Sequence, residues 1–547
     1  MPSKLLFRGL RSYPRLEMKP IPLPPRLESL EMQLASDPSI AEKIQKMQNR
    51  VRWQHPLCLK HNIDQTRLVI DDGRADDPEF SFLVVGDSGA GRHRGDSPQR
   101  RVAESMLAQG QESRFTLHMG DVIYLVGSSE QYLENFIEPY RDFLVGGESP
   151  EQIAYDQMVF KHPMLPVPGN HDYYDLPLAW GLLSQITLPI RRLFQDQLDL
   201  DVGWHGSYAG DAYARAFLDY LRGVNESQLQ QHLERHYSAT TKTGACLRYQ
   251  PGDFTRLPNR YYTFRYGGID FFALDSNTFN SPQPLPEGQV GDVLRRQLEA
   301  ERNQLGQERL RLLEAAPKAM SEQADSEQLD DLYAKAEQIE EQIRDIEKQL
   351  ETTKRSKIDL EQLKWLEEQL IASWNDPEVR GRIIYFHHPP YVTEATKWNQ
   401  GQTLAIRQSL QRVFDAVHDA IAPLPENRSL VDLILNGHAH CLEYLRTQET
   451  GHADAHLNWI VCGGSGFSLR RQRSQGSALK SQDKQRVIAQ SKLFVGRNGH
   501  GSQKRRPYSY LRIDVATGCP PRLTVRPFVV ERVQKQWREY ALSPFSI

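Results

Sequence analysis

This chain carries its most informative stretch at Phe82-Leu83-Val84-Val85-Gly86-Asp87-Ser88-Gly89, where an apolar run ends in a glycine and an acidic side chain. A short apolar run bounded by glycine is typical of a buried β-strand. The carboxylate of Asp87 follows at the point where this strand ends. Open α/β sheets place their chemistry in loops beyond the carboxyl ends of their strands, so the stretch predicts a strand followed by a functional loop.

Four further segments repeat this arrangement along the chain. They are Gly120-Asp121-Val122-Ile123-Tyr124, Gly169-Asn170-His171-Asp172, His387-His388-Pro389-Pro390 and Gly437-His438-Ala439-His440. Because an apolar, strand-like run precedes each of them, we expect the five loops to meet at one edge of a sheet. Two carboxylates, an amide oxygen, a phenol and at least three imidazoles would converge there. Such a set is large enough to hold two metal ions.

The side chains in these segments are oxygen and nitrogen donors. The carboxylate of Asp121 can bridge two ions through its two oxygens, and Asn170 supplies a neutral oxygen. The imidazoles supply nitrogen donors suited to zinc, iron, manganese or nickel. A single buried Asp or His is usually only a satisfied hydrogen-bonding group. Five loops that each place a donor at a strand end favour a metal site instead.

The five segments resemble the motif series of the calcineurin-like metallophosphoesterases, and most closely the purple acid phosphatase branch. Many family members have a His two residues after the first Asp, where this chain has Gly89. Tyr124, three residues after Asp121, matches instead the Gly-Asp-x-x-Tyr pattern by which purple acid phosphatases supply a phenolate. Ile384 stands where that branch usually has Val three residues before its His, which is a conservative change.

The resemblance implies a dinuclear metal centre in which Asp121 is shared. The implied ligands are Asp87, Asp121, Tyr124 and His440 for the first ion, and Asp121, Asn170, His387 and His438 for the second. A phenolate is a hard anionic donor that favours a trivalent ion. We therefore expect Fe(III) at the first position and Zn, Mn or Fe(II) at the second.

The same resemblance implies hydrolysis of a phosphoric ester, with a metal-bound hydroxide attacking phosphorus in line. His171 matches the family's non-ligand His, which stabilises the transition state or protonates the leaving oxygen. Asp172 is either a carboxylate that orients this imidazole or an ordinary loop carboxylate. Weaker candidates for contacts to the substrate are Arg92, His93, Arg94 and His388. A solvated loop is the plainer interpretation of the first three.

We expect a phosphomonoesterase first, because the tyrosine-containing motifs resemble purple acid phosphatases. A phosphodiesterase on the same site is the alternative enzyme, since a two-metal clamp suits both kinds of ester. The alternative outside catalysis is a scaffold or interaction protein that uses a helical insertion. As an enzyme, the protein would act on a small phosphorylated substrate.

The composition favours a soluble protein of a reducing compartment. With 67 basic and 70 acidic residues the net charge is −3. This balance does not indicate binding to nucleic acid or to a membrane surface. No apolar stretch approaches the ~20 residues that span a bilayer. The five cysteines are scattered without a CxxC pair, so neither a disulfide framework nor a zinc module is expected. We expect a cytoplasmic protein, unlike the secreted or lysosomal purple acid phosphatases.

The predicted fold class is α/β, a four-layer α/β/β/α sandwich of the metallophosphoesterase type with an inserted antiparallel coiled-coil hairpin. We divide the chain into an N-terminal extension over residues 1–77, a catalytic domain over residues 78–547 and, within it, the insertion over residues 288–357. Residues 470–506 are basic and polar. They predict a mobile solvated loop rather than a patch that binds anions.

The insertion is predicted from apolar residues at alternating steps of four and three. One seam consists of Leu332, Ala336, Ile339, Ile343, Ile346 and Leu350, and its partner of Leu294, Leu298, Leu305 and Leu312. Arg309 interrupts the partner seam, and Pro317 separates the two arms. The hairpin could be a partner-binding arm, a surface for self-association, a lid, or a helix pair without a partner.

Overall fold

The structure is a computed structural model of a mixed α/β protein with two large sheets. It describes residues 36–91, 97–175, 206–321, 326–354, 356–425, 428–481, 486–499, 503–533 and 536–547. The compact unit that contains the sheets extends over Ala35–Ile547. All five cysteines are free thiols, and only Cys519 is exposed. Within the described ranges, no helix combines the length and the apolar character needed to cross a membrane.

The first sheet contains eleven strands within the described residues. Its order is β13 (Ala478–Lys480), β14 (Val487–Val495), β11 (Leu442–Thr447), β12 (Asn458–Cys462), β10 (Leu433–Asn436), β9 (Gly381–Tyr385), β8 (Ile269–Ala273), β7 (Tyr262–Tyr266), β1 (Ile63–Ile70), β6 (Gly244–Tyr249) and β5 (Ala239–Thr241). The neighbours β8, β9, β10 and β12 are parallel, and every residue of β8, β9 and β10 is buried. Strands that are buried on both faces are mostly apolar, and this apolar character is the signal that predicts them from the sequence.

The second sheet has β2 and β3 near its centre. Its order is β17 (Gln536–Ala541), β16 (Leu523–Val533), β15 (Arg505–Val515), β2 (Phe80–Val85), β3 (Ser113–His118) and β4 (Met164–Pro166), with β18 (Phe545–Ser546) beside β16. The strands β2, β3 and β4 are parallel, whereas β15, β16 and β17 are antiparallel to their neighbours.

Nine α-helices lie within the described ranges given above. They are α1 (Ile40–Arg50), α2 (Pro56–Lys60), α3 (Pro98–Gly110), α4 (Asp211–Phe217), α5 (Glu226–His236), α6 (Gln289–Ser321), α7 (Ser326–Glu351), α8 (Leu360–Trp374) and α9 (Gly401–Ile421). Helix α3 begins where Ser97 accepts a hydrogen bond from the Arg100 N–H and Pro98 occupies the first turn, an arrangement favoured at helix N-termini.

The two sheets pack face to face through aromatic side chains. Phe82 of β2 meets Phe271 of β8 with ring centroids 5.5 Å apart, and Phe115 of β3 meets Phe264 of β7 at 5.6 Å. Helices α8 and α9 bury apolar side chains against the first sheet in a second core. These contacts hold the carboxyl ends of β2, β3, β9 and β10 in place. The complete four-layer order stays a prediction.

Two stretches of the chain supply strands that the sequence analysis does not predict. The first sheet includes β1, so it begins inside the predicted N-terminal extension, because Leu68 and Ile70 are only 1% exposed. Residues 470–506 are not one mobile loop, since they supply β13, β14 and the start of β15. Leu479 and Ala489 are buried there, and a run of charges conceals these apolar positions in the sequence.

Helices α6 and α7 of the insertion run antiparallel. Arg295 Nη1 near the start of α6 donates to the Leu350 carbonyl near the end of α7 at 3.3 Å. Lys335 Nζ and Glu308 Oε1, 2.5 Å apart, join the two helices further along. In the described part of the seam, Ala336, Ile339 and Ile346 are buried. Heptad packing of the coiled-coil type stays a prediction.

Three details of the insertion differ from the sequence pattern. Pro317 does not separate the arms, because α6 continues to Ser321 through a segment rich in alanine, the strongest helix former. Leu294, expected to extend the seam, is 37% exposed. Arg309 interrupts the apolar seam because it forms an ion pair at 3.0 Å with Glu340 across the helix pair.

Candidate metal centre

The candidate centre lies where the carboxyl ends of both sheets meet. Loops after β2, β3 and β4 of the second sheet carry Asp87, Asp121, Tyr124 and Asn170, and loops after β9 and β10 of the first carry His387, His438 and His440. All seven side chains are buried. The structure therefore brings together every residue that the resemblance implies as a metal ligand.

The four side chains implied for the first ion form one cluster. Tyr124 Oη lies 3.0 Å from Asp87 Oδ1 and 2.9 Å from Asp121 Oδ2. It also lies 3.2 Å from His440 Nε2, which is 3.6 Å from Asp87 Oδ1. These donor atoms are close enough for one ion to replace the hydrogen bonds among them.

The side chains implied for the second ion lie beside this first cluster. His387 Nε2 is 2.9 Å from Asn170 Oδ1 and 3.2 Å from Asp121 Oδ2. The His438 ring lies 5.0 Å from the His387 ring, between centroids. Because Asp121 Oδ2 contacts both Tyr124 and His387, this one oxygen faces both clusters.

The orientation of the imidazoles fits a metal ion. His387 Nδ1 lies 2.7 Å from the Met119 carbonyl and His440 Nδ1 lies 2.9 Å from the Ser468 carbonyl. A backbone oxygen thereby occupies each Nδ1, which leaves Nε2 facing the centre as the atom that a metal ion would bind. Within the described part of the chain, His438 Nε2 is buried without a hydrogen-bond partner. A buried ring nitrogen in that state is costly unless an ion or another donor binds it.

The backbone of the loops is unusual in the same places. Asp87, Asp121 and His438 have φ values of 54°, 52° and 63°, in the left-handed region that non-glycine residues rarely adopt. A Cβ on Gly169 would lie 2.1 Å from Asp121 Oδ1, so this close approach requires glycine. Strained backbone of this kind is typical of functional sites.

Electrostatics couples Asp121 to His387. Burial would raise the pKa of Asp121, but the positive charges of His387 and His171 and their hydrogen bonds hold it far below its usual range. Burial would lower the pKa of His387, but Asp121 and Asp87 raise it to about 9. Without a metal ion, the pair is an imidazolium beside a carboxylate. A metal ion would have to displace the His387 proton.

Burial shifts the pKa values of Asp87, His438 and His440 in the direction that favours their neutral forms. Burial, reinforced by Asp121, raises the pKa of Asp87 well above its usual value although His387 opposes this shift. Burial lowers the pKa of His440 to about 3, helped by the positive charge of Arg470. Burial also lowers the pKa of His438 far below its usual value. Both imidazoles are therefore neutral at pH 7, which is the state that binds metal.

The side chains of His171 and Asp172 have separate hydrogen-bond partners. The His171 Nδ1 atom lies 2.5 Å from the Leu125 carbonyl, so a backbone oxygen orients the imidazole. Asp172 accepts instead from the N–H groups of Gly169 (2.8 Å) and Val122 (3.1 Å). Of the two interpretations of Asp172, these contacts are those of a loop carboxylate, because its oxygens hold the Asp121 loop against the Asn170 loop.

Of the four residues predicted to contact the substrate, the structure describes only His388. His388 Nδ1 lies 2.8 Å from Ser276 Oγ, and its ring lies 4.4 Å from that of His438. His387, His388 and His438 form one group that could hold a metal ion, and Asp87, Asp121 and His387 form another. His388 is thus at the centre itself. Arg92, His93 and Arg94 lie outside the described residues, and their contacts stay a prediction.

Sequence reasoning missed two neighbours of the centre. The Phe467 ring stacks on the Tyr124 ring at 3.8 Å between centroids and 2° between planes, so it fixes the phenol. Ser276 holds His388. Phe467 directly follows Gly463-Gly464-Ser465-Gly466, which lacks the Lys of a phosphate-binding loop and predicts only a structural turn. Nothing in the sequence links Ser276 to a histidine more than 100 residues later.

Comparisons with known proteins give only distant likenesses. No family model and no curated protein sequence matches the chain. Among solved structures it is similar to a purple acid phosphatase from yellow lupin (Lupinus luteus) seeds, with a TM-score of 0.39 and 12% identity, over 86% of this chain and 54% of that one. This chain therefore spans about half the length of the lupin protein.

Two further solved structures are similar at the same level. One is GAP50, the anchor in the inner membrane complex of Plasmodium, with a TM-score of 0.37 and 11% identity, over 85% of this chain and 88% of that one. The other is PhoD, with a TM-score of 0.35 and 12% identity, over 85% and 72%. TM-scores this low assign no function, which is therefore inferred from the side chains of the centre.

Proposed function

We propose that the protein is a metal-dependent hydrolase of phosphoric esters that acts first on phosphomonoesters. One observation carries the proposal: Asp121 Oδ2 lies between Tyr124 Oη at 2.9 Å and His387 Nε2 at 3.2 Å. A carboxylate shared by two sets of donors would hold two ions side by side, and two-metal hydrolases use such a pair of ions to clamp a phosphate. The preference for monoesters comes from the motif that contains Tyr124.

The centre would hold two metal ions through the seven implied ligands. Bound there, the ions would polarise the phosphoric ester and make the attacking water more acidic. We expect His171 to assist, because its Nδ1–H donates to the Leu125 carbonyl and its Nε2 is left to exchange a proton. We assign it the role of holding or delivering a proton at the leaving oxygen.

The metal pair that we propose is Fe(III) with Zn, Mn or Fe(II). Burial and the carboxylates of Asp121 and Asp87 raise the pKa of Tyr124 well above its usual value. The phenolate would therefore form only beside a strongly positive ion. A trivalent ion next to Tyr124 meets this requirement, and a divalent ion suits the second position with its imidazoles and amide oxygen.

The test is hydrolysis of p-nitrophenyl phosphate and bis(p-nitrophenyl) phosphate by the full chain reconstituted with iron together with zinc or manganese. We expect faster turnover of the monoester. Asp121→Asn should lower kcat/KM at least ~100-fold, or about 2.7 kcal/mol, because it removes the bridging charge. Asp415→Asn is the matched control, since this exposed carboxylate also contacts a histidine, His452.

Each outcome of this test has one interpretation. Faster turnover of the diester would favour the phosphodiesterase. No turnover of either ester, or an Asp121→Asn variant as active as the wild type, would overturn the proposal and favour the scaffold.

A further inference from the structure

The glycine-rich turn after β12 leaves the first sheet at the edge that carries the candidate centre. Strand β12 is parallel to β10, and the loop after β10 carries His440. From β12 the chain continues through Gly463-Gly464-Ser465-Gly466-Phe467-Ser468, a segment that we call the β12 turn. Because neighbouring parallel strands end at the same edge of a sheet, the β12 turn lies beside the implied metal ligands.

The β12 turn is hydrogen-bonded to the loop that carries Asp87. The Ser465 N–H donates to the Gly86 carbonyl at 3.2 Å, and the Gly86 N–H donates to Ser465 Oγ at 3.1 Å. The Phe467 N–H donates to the Asp87 carbonyl at 3.0 Å. Ser465 is fully buried, so these hydrogen bonds hold the first ligand loop without competition from water.

Two glycines of the β12 turn approach this loop more closely than any side chain would allow. A Cβ on Gly463 would lie 2.3 Å from the Ala439 carbonyl oxygen and 2.8 Å from Asp87 Oδ2. A Cβ on Gly466 would lie 2.4 Å from the Ser88 carbonyl oxygen. These distances are shorter than van der Waals contact, so both positions require glycine. The backbone of the β12 turn therefore packs directly against the Asp87 carboxylate.

The end of the β12 turn contacts two further ligands, Tyr124 and His440. The Phe467 ring lies parallel to the Tyr124 ring, with centroids 3.8 Å apart, and perpendicular to the His440 ring, with centroids 5.3 Å apart. The Ser468 carbonyl lies 2.9 Å from His440 Nδ1. A flat ring against the phenol and a carbonyl against the imidazole restrict the orientation of both ligands.

The β12 turn contacts one half of the candidate centre. The ligands that it touches are Asp87, Tyr124 and His440, and all three are implied for the first ion. Within the described residues, no hydrogen bond, ion pair or ring contact joins the β12 turn to the side chains implied for the second ion alone, which are Asn170, His387 and His438.

We infer that the β12 turn is a sixth segment of the metal centre, in which Phe467 and Gly463 position the ligands of the first ion and not those of the second. The inference rests on the proposed function, because it needs a metal ion beside Tyr124. Replacing a residue that orients a ligand weakens metal binding by roughly 10- to 100-fold. Phe467 is thus a positioning residue for the Tyr124 phenol, and Gly463 for the Asp87 carboxylate.

The experiment loads the full chain with iron and zinc, measures the affinity for each by titration with a chelator, and records the visible spectrum. Phe467→Leu keeps an apolar side chain but removes the flat ring. It should weaken iron binding about tenfold, leave zinc binding within about twofold of the wild type, and shift the absorption of the phenolate bound to Fe(III). Gly463→Ala should weaken iron binding with the same selectivity, because its Cβ would press against Asp87 Oδ2.

Phe254→Leu is the matched control. Phe254 is also partly buried, and its ring also lies flat against another ring, that of His236, with centroids 3.7 Å apart. It follows β6, near the edge of the first sheet and away from the candidate centre. This variant should keep the iron affinity, the zinc affinity and the spectrum of the wild type. Thermal unfolding before metal loading checks that each variant is folded.

The outcomes separate this inference from the proposed function. If the wild type binds two ions and hydrolyses the monoester, unchanged iron affinity and absorption in both Phe467→Leu and Gly463→Ala would overturn the positioning role and leave the hydrolase intact. Equal losses of iron and zinc would also overturn it, because the β12 turn would then support the fold in general. A loss in Phe254→Leu as large as that in Phe467→Leu would do the same. A wild type that binds no iron would overturn both proposals.

Discussion

At the scale of single residues, the backbone contributes as much to the candidate centre as the ligands do. Burial, reinforced by the charge of Asp121, raises the pKa of Asp172 to about 8. Asp172 nevertheless accepts hydrogen bonds from the N–H groups of Gly169 at 2.8 Å and Val122 at 3.1 Å. Those N–H groups belong to the loops that present Asp121 and Asn170. Asp172 is thus a positioning residue for the ligands, although it follows His171 in sequence.

Asp172→Ala should lower stability by about 2–4 kcal/mol, because two buried N–H groups lose their acceptor at roughly 1–3 kcal/mol each. Metal affinity should fall with it. Asp172→Asn keeps one acceptor oxygen and should be milder. Thermal unfolding and metal titration measure both effects, and an Asp172→Ala variant with unchanged stability would contradict this role.

Asn170→Ala should reduce occupancy of the second ion and turnover at least tenfold while leaving the fold intact. The change removes the amide oxygen that lies 2.9 Å from His387 Nε2. Elemental analysis of the purified variant gives the occupancy. Full occupancy with unchanged turnover would show that Asn170 is not a ligand.

Tyr124→Phe should abolish visible absorption from a phenolate bound to Fe(III). The substitution keeps the ring stacked on Phe467 and removes only the hydroxyl that contacts Asp87 and Asp121. Absorption spectra of the iron-loaded wild type and variant make the comparison. A colourless iron-loaded wild type would count against the Tyr124–Fe(III) pair.

At the scale of elements, strand ends are predictable from sequence and contacts between distant elements are not. The runs before Asp87 and His438 are mostly apolar because β2 and β10 are buried on both faces. Heptad counting finds the seam of α7, but it cannot tell which distant loop meets the other face. For this reason the contact of Glu341 in α7 with Lys397 is absent from the sequence prediction.

Strand β11 contains a titratable group that should make stability depend on pH. Burial raises the pKa of Glu443 from 4.5 to about 7, although Thr393 donates two hydrogen bonds to it. The folded state therefore favours the protonated form, and this contribution to the free energy of unfolding is lost as pH rises from about 4.5 to 7, by roughly 3 kcal/mol at most.

Glu443→Gln stays neutral, so it should lose less thermal stability than the wild type between about pH 5 and pH 8. Glu449→Gln, at an exposed carboxylate that contacts His456, is the control and should follow the wild type. Thermal unfolding at both pH values gives the comparison. Parallel losses in the wild type and Glu443→Gln would show that Glu443 does not titrate in this range.

At the scale of the whole molecule, the candidate centre forms because strands of two different sheets have their carboxyl ends at the same place. The second sheet supplies Asp87, Asp121 and Asn170, while the first supplies His387 and His438. The order of motifs in the sequence predicts that the five loops converge. It does not show that they come from two sheets, because the pairing of β2 with β15, more than 400 residues away, leaves no local signal.

The metal content of the purified full chain, measured by elemental analysis after reconstitution, tests the central claim most directly. The geometry predicts about two metal ions per chain, falling to about one in Asn170→Ala. A chain that binds no metal after reconstitution would contradict the dinuclear centre and, with it, the proposed hydrolase.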